Sequence, residues 1–274
     1  MKTILLKISG AVLAVFILTS CLGDRDSYVK IDNDFAYFKY NDLDGTGVQR
    51  LYAWVSMGPI LAPSSLSNIT PNRGYFVKYK INQFGKYYYG AEYLELLGDA
   101  KPVPTAAFKW DAPYTGFQQA QLVDSIHPLS ISEIKGSALN TIDDNWLIKY
   151  NMSLKEDETV ETRFYYNSNG QYQNGKALDK NQIIIDIRFV KAEKNTENVN
   201  TQLTELYALG SLAEVRSSYQ PTIPSDEDYV DVPIVFRYIE DQGKTTITRT
   251  LGSFNLNSSS TEYVFFMRFY KKKS

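Results

Sequence analysis

Beyond the first 34 positions the chain alternates apolar and polar residues over short runs. Tyr75, Val77, Tyr79 and Ile81 would share one face of an extended segment, with Lys78, Lys80 and Asn82 on the other. That period of two marks a half-buried strand. Trp146, Ile148, Tyr150, Met152 and Leu154 repeat it against Lys149, Asn151 and Ser153. Further aromatic and β-branched runs at Phe35 to Tyr40, Val48 to Ser56, Tyr87 to Leu97, Val160 to Asn167, Ile183 to Val190, Val230 to Ile239, Thr245 to Leu251 and Tyr263 to Tyr270 predict strands. Asn41 to Gly47 has the composition of a hairpin loop, and Pro59 to Asn72 and Tyr219 to Asp228 also read as loops. Pro233 would put its strand at a sheet edge or a bulge, because proline donates no ladder hydrogen bond. One stretch breaks the alternation: Leu203, Leu206, Tyr207 and Gly210 recur at helical spacing, predicting one short helix within Asn195 to Ala213.

These elements predict an all-β protein of two domains. The preferred boundary is Gly98 to Thr105, where Pro102 and Pro104 stiffen a connection that a central strand would not tolerate. A small barrel of the OB type would span residues 34–105, and an antiparallel β-sandwich residues 106–274.

The start of the chain follows another pattern. Lys2 and Lys7 precede an apolar run from Ile8 to Leu18, then Thr19, Ser20 and Cys21. This is the order of a secretory signal peptide, and the run is about half of the roughly 20 residues that would span a bilayer. Leu18-Thr19-Ser20-Cys21 resembles the lipobox of bacterial lipoproteins. The resemblance implies that the Cys21 thiol accepts a diacylglyceryl group and that a peptidase cuts between Ser20 and Cys21. Residues 1–20 would then be the signal peptide and 21–33 a lipidated flexible tether. Acidic residues close behind such a cysteine, here Asp24 and Asp26 around Arg25, resemble the surface-export signal of Bacteroidetes lipoproteins. The expected address is the outer membrane, held by covalent lipid such as palmitate, facing the cell surface or, alternatively, the periplasm.

Charge and composition narrow the function classes. The sequence holds 29 Lys and Arg against 31 Asp and Glu, and removing Lys2 and Lys7 takes the net charge from -2 to about -4. Nucleic-acid binding needs a concentrated basic surface, so no nucleic-acid partner is expected. Lys271 to Lys273 reads as a solvated tail. Cys21 is the only cysteine, so no disulfide can form within the mature chain. Stability then rests on an apolar core, to which 21 Tyr, 14 Phe and 3 Trp contribute large buried areas.

No catalytic constellation stands out. His127 is the sole histidine, which excludes metal sites built on several imidazoles, and no G-x-S-x-G or phosphate-loop pattern occurs. Asp42, Asp44 and Thr46 partly match the opening of a calcium loop, but the twelfth position is Ala53 and a plain Asp-Gly hairpin is favoured. Ser225 to Asp228 reads as a solvated acidic loop, and no metal or cofactor is expected. Trp54, Trp110 and Tyr87 to Tyr89 could stack on sugar rings, although aromatics at strand spacing are more often core. Asp124-Ser125-Ile126 resembles a short O-glycosylation motif of exported Bacteroidetes proteins. A carboxylate pair for glycoside hydrolysis needs only two acids about 5 to 10 Å apart and leaves no sequence signature.

Ser20-Cys21-Leu22-Gly23-Asp24, Gly74 to Asn82 leading into Tyr87 to Leu97, and Asp144-Asn145-Trp146-Leu147 together resemble the NigD-like lipoproteins of the Bacteroidetes. The resemblance implies an N-terminal OB-type domain, a C-terminal β-sandwich and no established biochemical role. The expected function is therefore a non-catalytic, outer-membrane-anchored binding or accessory module with an envelope protein or glycan as partner. The alternatives are a surface glycan-binding protein, a fimbrillin-like adhesin subunit and, from the enzyme class, a surface glycoside hydrolase.

Overall fold

The computed structural model describes residues 28–43, 45–56, 58–63, 66, 68–82, 94–110, 130–137, 140–156, 158–166, 172–173, 176–177, 182–192, 200–241, 246–251 and 265–271. Two compact units divide between Lys101 and Pro102. The described chain is almost entirely strand, with one short helix.

The first unit is an antiparallel sheet of β1 (Tyr28–Asn41), β2 (Arg50–Val55), β3 (Gly58–Leu61), β4 (Arg73–Asn82) and β5 (Glu95–Leu96), ordered β3-β2-β1-β4-β5, with β6 (Lys101–Pro102) also on β4. Leu94 N donates to Leu61 O at 2.8 Å. That bond joins the two ends of the sheet order, so the sheet curls back on itself. Ala36, Phe38, Leu51, Ala53, Val55, Tyr75, Val77, Tyr79 and Ile81 fill its core. Two expectations change here. Tyr28 to Ile31 pair with β4, from Tyr28↔Asn82 to Ile31↔Tyr79, so strand begins at Tyr28, inside the tether foreseen to Asn33. Pro59, Ile60 and Leu61 pair with β2 rather than opening a loop.

Asn33 has φ 55° at a register break between Ile31 and Asp34. The break brings Asp34 within reach of two neighbours: Tyr79 Oη and Ser56 Oγ each donate to Asp34 Oδ2 at 2.9 Å. Burial first, then the Asp34 charge, raises the pKa of Tyr79.

The second unit begins with β7 (Ala107–Trp110), β8 (Ser130–Ser137), β9 (Asn140–Lys155) and β10 (Thr159–Tyr166), and a small hairpin of β11 (Tyr172–Gln173) and β12 (Lys176–Ala177) follows. It continues through β13 (Ile183–Ala192), β14 (Thr201–Ser211), helix α1 (Ala213–Ser218), β15 (Tyr229–Asp241), β16 (Thr246–Leu251) and β17 (Phe265–Tyr270). One sheet runs β14-β9-β8; the other runs β16-β15-β13-β10-β7, with β17 also on β15. The larger sheet is mixed, because β7 with β10 and β13 with β15 are parallel. Parallel neighbours need a long crossover, and both crossovers run through strands of the other sheet. The two inner faces share one core: Trp146, Ile148, Tyr150 and Met152 from β9 meet Phe164, Ile185, Ile187, Phe236 and Met267. Trp146 lies 5.0 Å from Phe236, and Tyr150 lies 4.3 Å from Phe189.

Three readings are corrected. The helix expected within Asn195 to Ala213 is strand from Thr201 to Ser211, paired with β9 along its whole length, and the helix follows it at Ala213–Ser218. Pro233 sits in a strand that has neighbours on both sides, yet the ladder to β13 starts only at Ile234↔Ile183. Its missing donor therefore falls just outside that ladder. Lys271 is bonded rather than a free tail: its N–H donates to Asp228 O and its Nζ to Ser225 O.

Burial, with Tyr219 nearby, pushes the Tyr166 phenol up to about 12. A tyrosine whose folded pKa is raised contributes stability that is complete below its unfolded value of 10.0 and is lost as pH climbs towards about 12. Urea unfolding between pH 9 and 12 should show falling stability, with a shallower fall in Tyr166→Phe. An identical pH slope in the variant would contradict this assignment.

Candidate functional site

The described residues hold no group of three or more metal-ligating side chains. Asp42 uses both carboxylate oxygens on backbone donors, Oδ1 on Thr46 N–H at 3.0 Å and Oδ2 on Gly47 N–H at 2.7 Å. With Gly45 and Gly47 at positive φ, the loop is an aspartate-capped hairpin turn. Asp44 lies outside the described residues.

Several of the described acids are engaged with cations. Asp186 on β13 and Arg237 on β15 form a buried bidentate pair at 2.6 and 2.9 Å, Asp231 pairs with Arg268, and Asp144 with Arg216. Arg163 lowers the pKa of Glu161, and Lys149 that of Glu205. A general acid of a glycosidase needs the opposite shift. Ser225 to Asp228 forms a turn tied to Lys271.

Asp144-Asn145-Trp146 builds a clasp. Asp143 and Asp144 adopt φ of 52° and 53°, which turns the Asp144 carboxylate to the Arg216 guanidinium of α1. Arg216 Nη2 donates to Asp144 Oδ1 at 2.6 Å and Nε to Oδ2. Its third nitrogen, Nη1, donates to the Arg268 carbonyl of β17, and the guanidinium lies over the Phe269 ring at 5.2 Å. One arginine thus ties the smaller sheet to the last strand of the larger one.

The aromatics expected to meet sugars are divided. Trp54 is buried, against that role; Trp110 is 50% exposed, with its indole N–H on Glu214 at 3.0 Å. Tyr87 to Tyr89 lie outside the described residues, as do His127, Asp124 to Ile126 and the lipobox and export residues Ser20, Cys21, Asp24 and Asp26. Among the described residues no helix is long and apolar enough to cross a membrane.

The sequence reading missed an exposed aromatic strip on β15 and β17. Val232, Ile234, Met267 and Phe269 point into the core, so Tyr229, Asp231, Pro233, Phe266, Arg268 and Tyr270 point away from it. The bond from Lys271 N to Asp228 O fixes the ladder's parity: Tyr229/Tyr270, Asp231/Arg268 and Pro233/Phe266 are the non-hydrogen-bonded pairs, whose side chains stand closest. Tyr229 is 41% exposed, Tyr270 56% and Phe266 38%. Between them Arg268 donates to both Asp231 oxygens, at 2.7 and 2.6 Å, and lies 3.9 Å over the Tyr229 ring. The pairing raises the Arg268 pKa, so the cation and its carboxylate neutralise each other across the strip. The signal was present as aromatic residues on the off-core phase of both strands, but only the register pairs them.

No protein-family model and no curated protein matches the chain. Among solved structures it is similar to a protein of unknown function, DUF1344, from Bacteroides vulgatus, with 12% identity, a TM-score of 0.47 and coverage of 84% of this chain and 92% of that one. A "Putative lipoprotein" from Bacteroides fragilis is similar at 9% identity and a TM-score of 0.48, over 81% of this chain and 95% of that one. The structural neighbours also include a NigD-like immunity protein from Bacteroides caccae, at 11% identity and a TM-score of 0.43, over 82% of this chain and 94% of that one.

Proposed function

We propose that this chain is a non-catalytic binding or accessory module of the bacterial cell envelope, lipid-anchored in the outer membrane through Cys21. The lipobox Leu18-Thr19-Ser20-Cys21 carries the anchoring half of the reading: a small residue before the only thiol, one signal-peptide length into the chain. One acyl chain holds a protein only marginally, whereas the two or three of such lipoproteins hold it firmly. Asp24 and Asp26 favour export to the cell surface, and the resemblance to NigD-like lipoproteins points to the same compartment. The non-catalytic half is supported by the cation partners of Asp144, Asp186 and Asp231 and by an exposed strip that offers contact surface instead of acid-base chemistry.

Cys21→Ser tests the anchor. Wild-type protein should fractionate with membranes and show an intact mass that begins at Cys21 and includes acyl chains. The variant should lose the acyl mass and leave the membrane fraction. A free Cys21 thiol, or an unprocessed N-terminus in the native protein, would refute the reading.

A further inference from the structure

We propose that the strip of Tyr229, Asp231, Phe266, Arg268 and Tyr270 on β15 and β17 binds a short stretch of neutral glycan. The inference rests on the binding-module reading above and names its ligand class. The rungs Tyr229/Tyr270 and Pro233/Phe266 lie four residues apart along each strand, or about 14 Å at the usual strand rise. Across two strands and their side chains the strip is roughly 10 Å wide, a footprint on the order of 140 Å². A standard protein partner needs about 800 Å², so the footprint suits an oligosaccharide.

The strip's chemistry selects the same class. Arg268 and Asp231 are each other's bidentate partner, so the strip carries no net charge to attract an anion or a cation. The rings of Tyr229 and Tyr270 form a tilted pair, 6.2 Å apart at 56°, whose exposed outer surface is apolar and whose phenol tips are polar. A pyranose presents the complement: a C–H face that gains by leaving water against a ring, rimmed by hydroxyls. The exposed side of Asp231 accepts from such hydroxyls, and the two tyrosine hydroxyls donate or accept. Phe266 supplies the second stacking position further along the chain of sugars.

Native electrophoresis of the purified full-length protein through gels containing laminarin, glucomannan or hydroxyethylcellulose tests the proposal. At least one of the three should retard the protein. The double variant Tyr229→Ala/Tyr270→Ala should weaken that retardation about tenfold or more at unchanged Tm, because both side chains are exposed. Trp110→Ala, outside the strip, should leave it intact. No retardation in any of the three gels would overturn the proposal, as would retardation unchanged in the double variant. Retardation by dextran sulfate alone, abolished by salt, would also overturn it. Release of reducing ends from the retarding polysaccharide would refute the non-catalytic reading while leaving the strip as its binding surface.

Discussion

Arg237→Ala should destabilise the second unit by about 3–5 kcal/mol, the usual cost of removing one partner from a buried ion pair. Asp186 and Arg237 face each other in the parallel register of β13 and β15, on the side of the sheet away from the sandwich core. Ile184 and Val235 on that same side are buried, as are Asp186 and Arg237 themselves, so the pair is screened from water. The alanine leaves the Asp186 carboxylate in that setting without its guanidinium. Replacing both, Asp186→Leu with Arg237→Met, should restore most of the loss, because neither charge of the pair then remains. Urea unfolding of the three proteins measures this. A single variant within 1 kcal/mol of wild type, against the roughly 3 expected, would show that the pair contributes little.

Gly210→Ala should be the next most damaging substitution. A Cβ at Gly210 would stand 2.2 Å from Phe164 Cε2 and 2.3 Å from Cζ, well inside contact distance. Phe164 cannot simply swing away, being fully buried and 5.9 Å from the Phe236 ring. The overpacking should cost about 1–3 kcal/mol or more, and Phe164→Leu should relieve part of it in the double variant. Thermal melts decide the matter: a Tm for Gly210→Ala within about 2 °C of wild type, under 1 kcal/mol for a unit of this size, would mean the two sheets part easily there.

The same glycine shows where sequence reading stopped. The inward residues of β9 were legible because Trp146 to Leu154 alternate cleanly, and all five apolar positions are buried. On β14 burial follows position along the strand: Leu203 at the open end is 62% exposed, while Ala208, Leu209 and Gly210 are buried one after another. Period two is erased, and leucines at helical spacing remain as the only visible pattern. Pairing with β9 over eleven residues overrides that local preference. Asp186 with Arg237, and Asp144 with Arg216, are 51 and 72 residues apart. Composition shows many acids and arginines, but only the register says which of them meet. The exposed strip was hidden likewise, since Tyr229 and Tyr270 become neighbours only when β17 returns to β15.

The Arg216 clasp bears on how copies of this chain behave when crowded on a surface. By the ladder's parity the Arg268 carbonyl points away from β15, towards where a foreign strand would dock, and Arg216 already occupies it. A neighbouring molecule seeking to add its own strand there meets a plugged acceptor, and evicting the plug also exposes Asp144. One outward acceptor of the last strand is thereby withheld from sheet-to-sheet polymerisation by a side chain delivered from the only helix among the described residues.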